Sequence, residues 1–410
     1  MKIFSRVRRL LVLLLALALI SAATLVPRSF NARAQSRRQP PTSPQKKNQR
    51  PAEGEQKQGE PQPPEQVPQD VLKEEAETLK VQTALVNVET VVYSKKTKQI
   101  VTGLKQKNFA ILVDGAPKDI TNFSTPEAPI TVAVILEYSK LAEYLRGNQF
   151  EWGIDEVIRP AAMFLTQVIR PPDDYVSVVA YDMRPTPLTD FTNDPARLNA
   201  VINLLLRNRP VSSEANLFDA LKLVLVGGKG DSVVLENSEK EKTEYAGLAS
   251  LQGRRKAIFL VCSGIDTFSK INYDQARKIA QNAGVPIYII GTGNLFMKKY
   301  GDMMTPDDGL LGATTPGRMT MLQAQNALNT FAKETGGIHI PVTQQGEIPS
   351  ALQTINALMR NQYSIGFRPN DARDGKQHKI TVKVDVNGDG TYDDKEYELK
   401  YRPFYNAPKG

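Results

Sequence analysis

Near the C-terminus, residues able to offer oxygen to a cation recur at fixed spacing: Asp385, Asn387, Asp389, Thr391, Asp393 and Glu396, within DVNGDGTYDDKE. The spacing fits D-x-[DN]-x-[DN]-G-x5-E. In that loop, carboxylates and amides, the carbonyl at the Thr391 position and a bidentate Glu surround Ca2+. Gly390 sits where the loop turns most sharply and a side chain is least tolerated. Tyr392 departs from the usual aliphatic residue that follows. Helices flank such a loop in its usual setting, but here the flanks read KITVKV and YELKYRPF. Both alternate apolar with polar residues and are rich in β-branched or aromatic types, so they predict strands. Two readings stand. One is a structural Ca2+ site at a hairpin tip, with an affinity of about 10⁻⁴ to 10⁻³ M. The other is a solvated turn, since Asn-Gly and Asp-Gly are ordinary turn pairs.

Hydroxyls and carboxylates also gather in LEYSKLA (136–142), VSSEAN (211–216) and VCSGIDT (261–267). Ser139 follows an apolar strand, a place where a nucleophile could sit, but no histidine is placed to serve it. His339 lies in a strand and His378 near a turn, neither at metal spacing from a cysteine or carboxylate. No G-x-S-x-G elbow, P-loop or dinucleotide fingerprint occurs. The pair Asp173-Asp174 reads as solvated carboxylates in a loop. Lys229-Gly230-Asp231 is too common a tripeptide to carry weight. These observations predict no enzyme, with a hydrolase using Ser139 as the weakest alternative.

The elements that must position these residues alternate along 129–360. ITVAVILE, YVSVVAYD, KAIFLVC, VPIYIIGTG and IHIPV read as strands. IDEVIRPAAMFLTQVI, ARLNAVINLLL, LFDALKLVLV, YDQARKIAQNAG, MLQAQNALNTFAKETGG and IPSALQTINALMRN read as helices. Short apolar strands separated by helices predict an α/β fold with a doubly wound, mostly parallel sheet. Two polar insertions, 227–252 and 294–318, fall at its rim. On either side are β segments. Residues 81–125 contain VQTALVNVETVVYSKKTKQIV, which alternates like a strand pair, and Asp114-Gly115, a hairpin turn signal. Residues 362–405 contain YSIGFRP and the two flanks of the acidic loop. Each segment holds too few strands to bury a core alone. A small antiparallel β domain is therefore expected, with Leu85–Tyr93 and Phe109–Val113 sharing a core with Ile380–Val384 and Tyr397–Tyr401.

This arrangement resembles a von Willebrand factor A domain. ETVVYSKKTKQIVTGLKQKNFAILVDGAPKDITNFS and YSIGFRPNDARDGKQHKITVKV further resemble the bacterial VWFA-related family of the Acidobacterial type. The resemblance spans about 81–405. It implies a first strand placed centrally in the sheet and a metal-ion-dependent adhesion site (MIDAS) at the sheet's end. That site is built from Asp-x-Ser-x-Ser after the first strand, a Thr before the third helix and an Asp after the fourth strand. Carried onto this chain, those positions are Glu137, Ser139, Leu141, Ala215 and Ser263. Only Ser139 matches. A hard cation needs about six oxygens, and Leu141 and Ala215 supply none from their side chains. The resemblance thus implies a degenerate MIDAS without its metal, with Asp266 and Ser212 or Ser213 as the nearest substitutes.

The 410-residue chain has a net charge of +8. Residues 1–34 carry Lys2, Arg6, Arg8, Arg9, Arg28 and Arg33 and no acid, so the remainder is +2. Near-neutrality gives no electrostatic reason to expect nucleic acid. The basic start, the apolar run Leu10–Val26 and Ala32-Arg33-Ala34 form a secretory signal with a cleavage site, so the mature chain is expected to start near Gln35. The alternative is an uncleaved N-terminal anchor; after cleavage no membrane span is expected. Residues 35–80, rich in Pro, Gln, Glu and Lys, predict a disordered linker. The lone Cys262 lies in an apolar strand, which excludes an intramolecular disulfide and predicts an inert thiol. The sequence therefore predicts an exported protein of the periplasm, envelope or exterior. It would bind another, unidentified protein without catalysis, or serve as a calcium-stabilised structural component of the envelope.

Overall fold

The structure is a computed structural model. It describes residues 85–139, 155–210, 212–229, 244–251, 254–300, 317–369 and 374–407. The signal, the linker and Leu141 lie outside these residues. In chain order the strands and helices are β1 Val86–Ser94, β2 Phe109–Val113, β3 Ala116–Lys118, β4 Ile120–Ser124, β5 Ile130–Glu137, α1 Asp155–Met163, β6 Tyr175–Tyr181, β7 Pro185–Thr192, α2 Pro195–Arg207, α3 Leu217–Val226, β8 Gly227–Lys229 and β9 Glu244–Ala246. There follow β10 Arg255–Cys262, α4 Tyr273–Ala283, β11 Ile287–Gly291, α5 Gly293–Tyr300, α6 Arg318–Thr335, β12 Ile338–Pro341, α7 Ile348–Arg360, β13 Tyr363–Phe367, β14 Gln377–Val384, β15 Tyr397–Lys400 and β16 Phe404–Asn406.

One sheet has the order β12-β11-β10-β5-β6-β7, and every pairing in it is parallel except β6 with β7. The first strand of this unit, β5, is central, and all eight of its residues are buried. Alternate side chains feed opposite cores. Val132, Val134 and Leu136 pack with α1, α2 and α7, while Ala133 and Ile135 pack with α3, α4 and α6. This is why the strand carries no polar face. The edge strand β7 was not expected from PTPLTDFT. Its Pro185 and Pro187 lack N–H donors, which an edge strand tolerates, and its register on β6 is interrupted.

The flanking segments meet. One four-stranded sheet has the order β15-β1-β13-β4 and the other β16-β14-β2-β3. Each sheet thus combines two strands from before the α/β unit with two from after it, and in the first sheet they alternate. The two enclose one core containing Val88, Val92, Phe109, Ile111, Tyr363, Phe367, Val382 and Val384. VQTALVNVETVVYSKKTKQIV contributes one strand, β1, and a single bridge from Tyr93 to Ile100, not a strand pair. The insertion 227–252 is not wholly polar rim: β8 and β9 form a small hairpin, and Tyr245 is buried against α3.

Buried cations fasten the β unit to the α/β unit. Arg402 reaches between the ends of α4 and α6, where Gly284 and Gly336 adopt left-handed φ of 59° and 87°. A Cβ at Gly284 would stand 2.1 Å from the Arg402 guanidinium and would have to displace it, and one at Gly336 would stand 2.9 Å from the Arg402 backbone N. Carbonyl-rich helix ends favour a cation. Burial nevertheless lowers the Arg402 pKa to about 10, with the charge of Glu89 opposing that shift. Arg255 donates to the carbonyls of Pro126 (2.8 Å), Ala128 (3.0 Å) and Met359, tying together the two chain crossings between the units. Arg360 donates to Asp174 and to the Val168 carbonyl. Asp174, expected in solvent, is 1% exposed. It also accepts the N–H groups of Ile130 (3.0 Å) and Arg170 (2.9 Å), so it caps strand and turn while pairing with a cation.

Candidate functional site

The three loops singled out by sequence converge at the carboxyl end of β5 and β10. Glu137, the last residue of β5, is buried. Its Oε2 accepts the Ser263 N–H at 2.6 Å, and its Oε1 accepts the Ser139 hydroxyl at 3.5 Å. Burial pushes the Glu137 carboxyl above its ordinary range, and the Ser263 and Ser139 hydrogen bonds oppose that shift only partly. Ser139 and Ser263 are themselves buried, as is Ala215. The Ala215 N–H donates to Thr267 Oγ1 at 2.8 Å, and that hydroxyl donates to Glu214 Oε2 at 2.6 Å.

Neighbouring polar groups are committed as well. Asp266 Oδ1 accepts the Phe218 N–H at 3.1 Å and the Ser269 hydroxyl. Burial raises the Asp266 carboxyl, with those bonds acting against it. Ser212 Oγ accepts the Glu214 N–H at 3.1 Å. Glu137, Ser139, Ala215 and Ser263 are thus brought together as the resemblance implies. They do not fit a divalent cation. Ala215 has no side-chain oxygen, and Glu137 already spends both of its oxygens on protein donors. The Ser139 hydroxyl donates to the Glu137 carboxylate, which also accepts the Ser263 N–H, and neither His339 nor His378 is its hydrogen-bond partner.

Sequence reasoning missed the apolar rim of this cluster. Met183 and Phe268 are 46% and 51% exposed. The Nδ2 of Asn216 holds both of their carbonyls, at 3.0 and 3.4 Å, so the two loops are braced against each other. The signal was present: a methionine and a phenylalanine stand beside Asp182 and Arg184 in one loop and between Thr267 and Ser269 in the other.

The acidic loop forms the tip of the β14–β15 connection and closes on itself. Asp385 Oδ1 and Oδ2 accept the N–H groups of Gly388 (2.7 Å) and Gly390 (2.8 Å). Asp389 Oδ1 accepts the N–H and hydroxyl of Thr391, with the N–H at 2.8 Å, and its Oδ2 accepts Asn387 Nδ2 at 3.0 Å. These bonds hold the Asp389 carboxyl below its ordinary range, the Thr391 hydroxyl contributing most. Asp393 Oδ2 accepts the Val386 N–H at 2.8 Å. The Glu396 carbonyl accepts the Lys95 N–H at 2.8 Å, which joins the loop to the end of β1. Gly388 and Gly390 take left-handed φ of 77° and 89°. Among the described residues no group of three or more His, Cys, Asp or Glu side chains is placed to hold a metal ion. As folded, the loop therefore presents its oxygens to its own backbone.

His378 also has partners the sequence reading did not foresee. Its Nδ1 lies 2.7 Å from Asp114 Oδ2 and its Nε2 3.2 Å from Asp374 Oδ1, while its ring stacks on Tyr405 with centroids 5.2 Å apart. His339 lies elsewhere and is partly buried, and burial lowers its pKa to about 4. Cys262 is buried, and burial pushes its thiol pKa well up.

No protein-family model and no curated protein sequence matches the chain. Among solved structures it is similar to an aerotolerance-related membrane protein from Bacteroides fragilis (15% identity, 57% of this chain and 98% of that one, TM-score 0.35). It is also similar to the vWF domain of the type V pili tip protein Mfa5 from Porphyromonas gingivalis (14%, 57% and 95%, 0.36). A third is proximal thread matrix protein 1 of the mussel byssus (11%, 63% and 50%, 0.37), of which the chain spans half the length. The fold is von Willebrand factor A-like: the central β5, the parallel sheet clad on both faces and the three loops meeting at its carboxyl end are each in place.

Proposed function

We infer that this is an exported, non-catalytic protein-binding chain, and that its von Willebrand factor A-like unit meets its partner without a bridging cation. The observation that carries this reading is the closed hydrogen-bond set around Glu137. A bridging ion needs open oxygens, whereas both oxygens of Glu137 accept from Ser263 and Ser139 and Ala215 offers no side-chain oxygen; the carboxylate that meets Ser139 is buried and also holds a backbone N–H. The exposed Met183 and Phe268 at its edge are instead suited to burying apolar area against another protein. Export rests on the sequence of residues 1–34. Among the described residues no helix is long and apolar enough to cross a membrane.

Capture from envelope extract, with and without EDTA and read by mass spectrometry, tests the reading. The same partner is expected in both arms and is expected to be lost with Met183→Asp/Phe268→Asp. Capture that requires a divalent cation would overturn it. So would a hydrolytic activity abolished by Ser139→Ala. Calcium at Asp385–Glu396 is the structural part of the proposal. The required residue types share one hairpin tip, and an ion there would reinforce a turn that already closes by itself.

A further inference from the structure

A cleft of about 920 Å³ opens along the seam between the α/β unit and the β unit. One wall comes from the end of α6 and the start of β12, and the other from β14, β15 and the residues that follow β15. Three ammonium side chains line it: Lys333, Lys379 and Lys400. None of them has an ion-pair or hydrogen-bond partner for its ammonium among the described residues. The acidic residue found in the lining, Asp114, is already taken by His378 and by the Lys379 N–H. Lys400 is half-buried, and burial lowers its pKa, with Glu398 opposing. Between the lysines the surface is apolar, from Ile338 and Leu399.

Two strand ends border the same space. β12 closes one end of the six-stranded sheet and pairs only with β11; β15 closes one end of its own sheet and pairs only with β1. Each therefore keeps one edge of backbone N–H and C=O groups without a strand partner among the described residues. Edges of this kind accept an extended peptide as an added strand, with backbone bonds giving affinity and alternate side chains giving selectivity.

We propose that this cleft binds an extended acidic peptide segment of a partner protein. The segment adds to a free strand edge and sets alternate carboxylates against Lys333, Lys379 and Lys400. Carboxylates would supply the counter-charge the cleft lacks, and the intervening side chains would cover Ile338 and Leu399. A sulfated glycan would satisfy the lysines but has no use for the strand edges, so a peptide is favoured. The proposal deepens the protein-binding reading by assigning a second, charge-selective contact away from the Glu137 cluster.

The test is fluorescence anisotropy of the full chain with a labelled octapeptide alternating Glu and Val. Comparison ligands are the Lys-Val octapeptide, the Glu-Val octapeptide N-methylated at every second residue, and chondroitin sulfate as an unlabelled competitor. The acidic peptide is expected to bind at least tenfold more tightly than the basic one and to weaken with added salt. N-methylation, which removes backbone donors without changing charge, is expected to weaken it at least fivefold. K333Q/K379Q/K400Q is expected to weaken it at least tenfold while the thermal midpoint stays within 2 °C of the parent. Equal binding of the acidic and basic peptides would overturn the proposal. So would undiminished binding by the triple variant, or chondroitin sulfate binding where the peptide does not. Tight binding of the N-methylated peptide would overturn strand addition. If the peptide fails while envelope capture persists, this cleft is excluded and the protein-binding reading stands.

Discussion

At the carboxyl end of the six-stranded sheet, Glu137 gives both carboxylate oxygens to its own chain. In the seam cleft, Lys333, Lys379 and Lys400 give their ammonium groups to no side chain described. Both places hold polar residues where a ligand could dock, yet they answer opposite constraints. The sheet end is buried, and a buried polar group left unpaired costs the fold about 1–3 kcal/mol. The cleft is open to water, which solvates the exposed Lys333 and Lys379 at little cost until a ligand displaces it, while Lys400 is half-buried. Residue type alone does not mark a binding site; the capacity left over after folding does. Sealed positions should therefore report on stability, and open positions on binding.

The largest effect is expected where a buried ion pair is sealed most completely. Asp174 and Arg360 are almost inaccessible, at 1% and 10% side-chain exposure. Burial alone would raise the Asp174 carboxyl, but Arg360 and the N–H groups of Ile130 and Arg170 hold it below its ordinary value. Arg360→Ala strands that carboxylate and should cost about 3–5 kcal/mol, a fall in thermal midpoint of roughly 10 °C. Calorimetry checks this, and a loss within the range of ordinary surface substitutions would show that the pair is not sealed.

The Glu137 cluster should respond less. Glu137→Ala removes the acceptor of the Ser263 N–H and is expected to cost about 1–3 kcal/mol by denaturant titration. Glu137→Gln keeps an acceptor and removes a buried charge, so stability at pH 7 should hold or rise. If Glu137→Ala leaves stability unchanged, water already reaches the cluster, and its contrast with the cleft disappears.

Much of this architecture was legible in the sequence. ITVAVILE and KAIFLVC announce a sheet covered on both faces because they are nearly continuous apolar runs, with polar residues only at Thr131, Glu137 and Lys256. The acidic loop's flanks announce strands through β-branched alternation. What stayed hidden was pairing across long separations. Nothing in PTPLTDFT marks β7, because an edge strand with two prolines meets few of the demands that shape a central one. Asp174 looked like solvent-facing loop because its cation, Arg360, comes from the far end of α7. The cleft was invisible for the same reason: Lys333, Lys379 and Lys400 are scattered along the chain and share a wall only after the flanking segments pair.

A smaller effect is expected at the acidic loop. A site with a Kd of about 1 mM would gain about 1.4 kcal/mol at 10 mM Ca2+. Calcium should raise the thermal midpoint by the corresponding few degrees, and Asp385→Asn/Glu396→Gln should abolish the rise. EDTA alone should change nothing, because the loop's internal bonds already close the turn. No shift at 10 mM would leave it a self-capped hairpin and class it with the sealed Glu137 cluster.

The smallest expected effect lies at the mouth of the cleft, where His378 stands between Asp114 and Asp374. The hydrogen bond to Asp114 is the main cause that raises the His378 pKa above its ordinary value of 6.5, with burial opposing and Asp374 reinforcing. The same contact is the main cause that lowers Asp114, while Asp374 is lowered first by the Lys376 N–H and then by His378; both fall below the ordinary 3.8. A group whose folded pKa is raised stabilises fully below its unfolded pKa and loses that contribution as pH rises through the folded value. The carboxylates behave oppositely, stabilising above 3.8 and losing the contribution as pH falls through their folded values. The three contributions coexist between about pH 4 and 6.5. Within this window the imidazolium bridges β14 to the β2–β3 turn. A thermal-midpoint profile should be highest there and decline on both sides, and His378→Asn should flatten the alkaline decline without moving the Arg360→Ala or Glu137→Ala losses. Protonated His378 also occupies Asp114, the acidic group in the cleft lining, so the acidic octapeptide should bind more tightly at pH 6 than at pH 8. Equal affinity at the two pH values would detach this bridge from the cleft and leave it a stabilising contact alone.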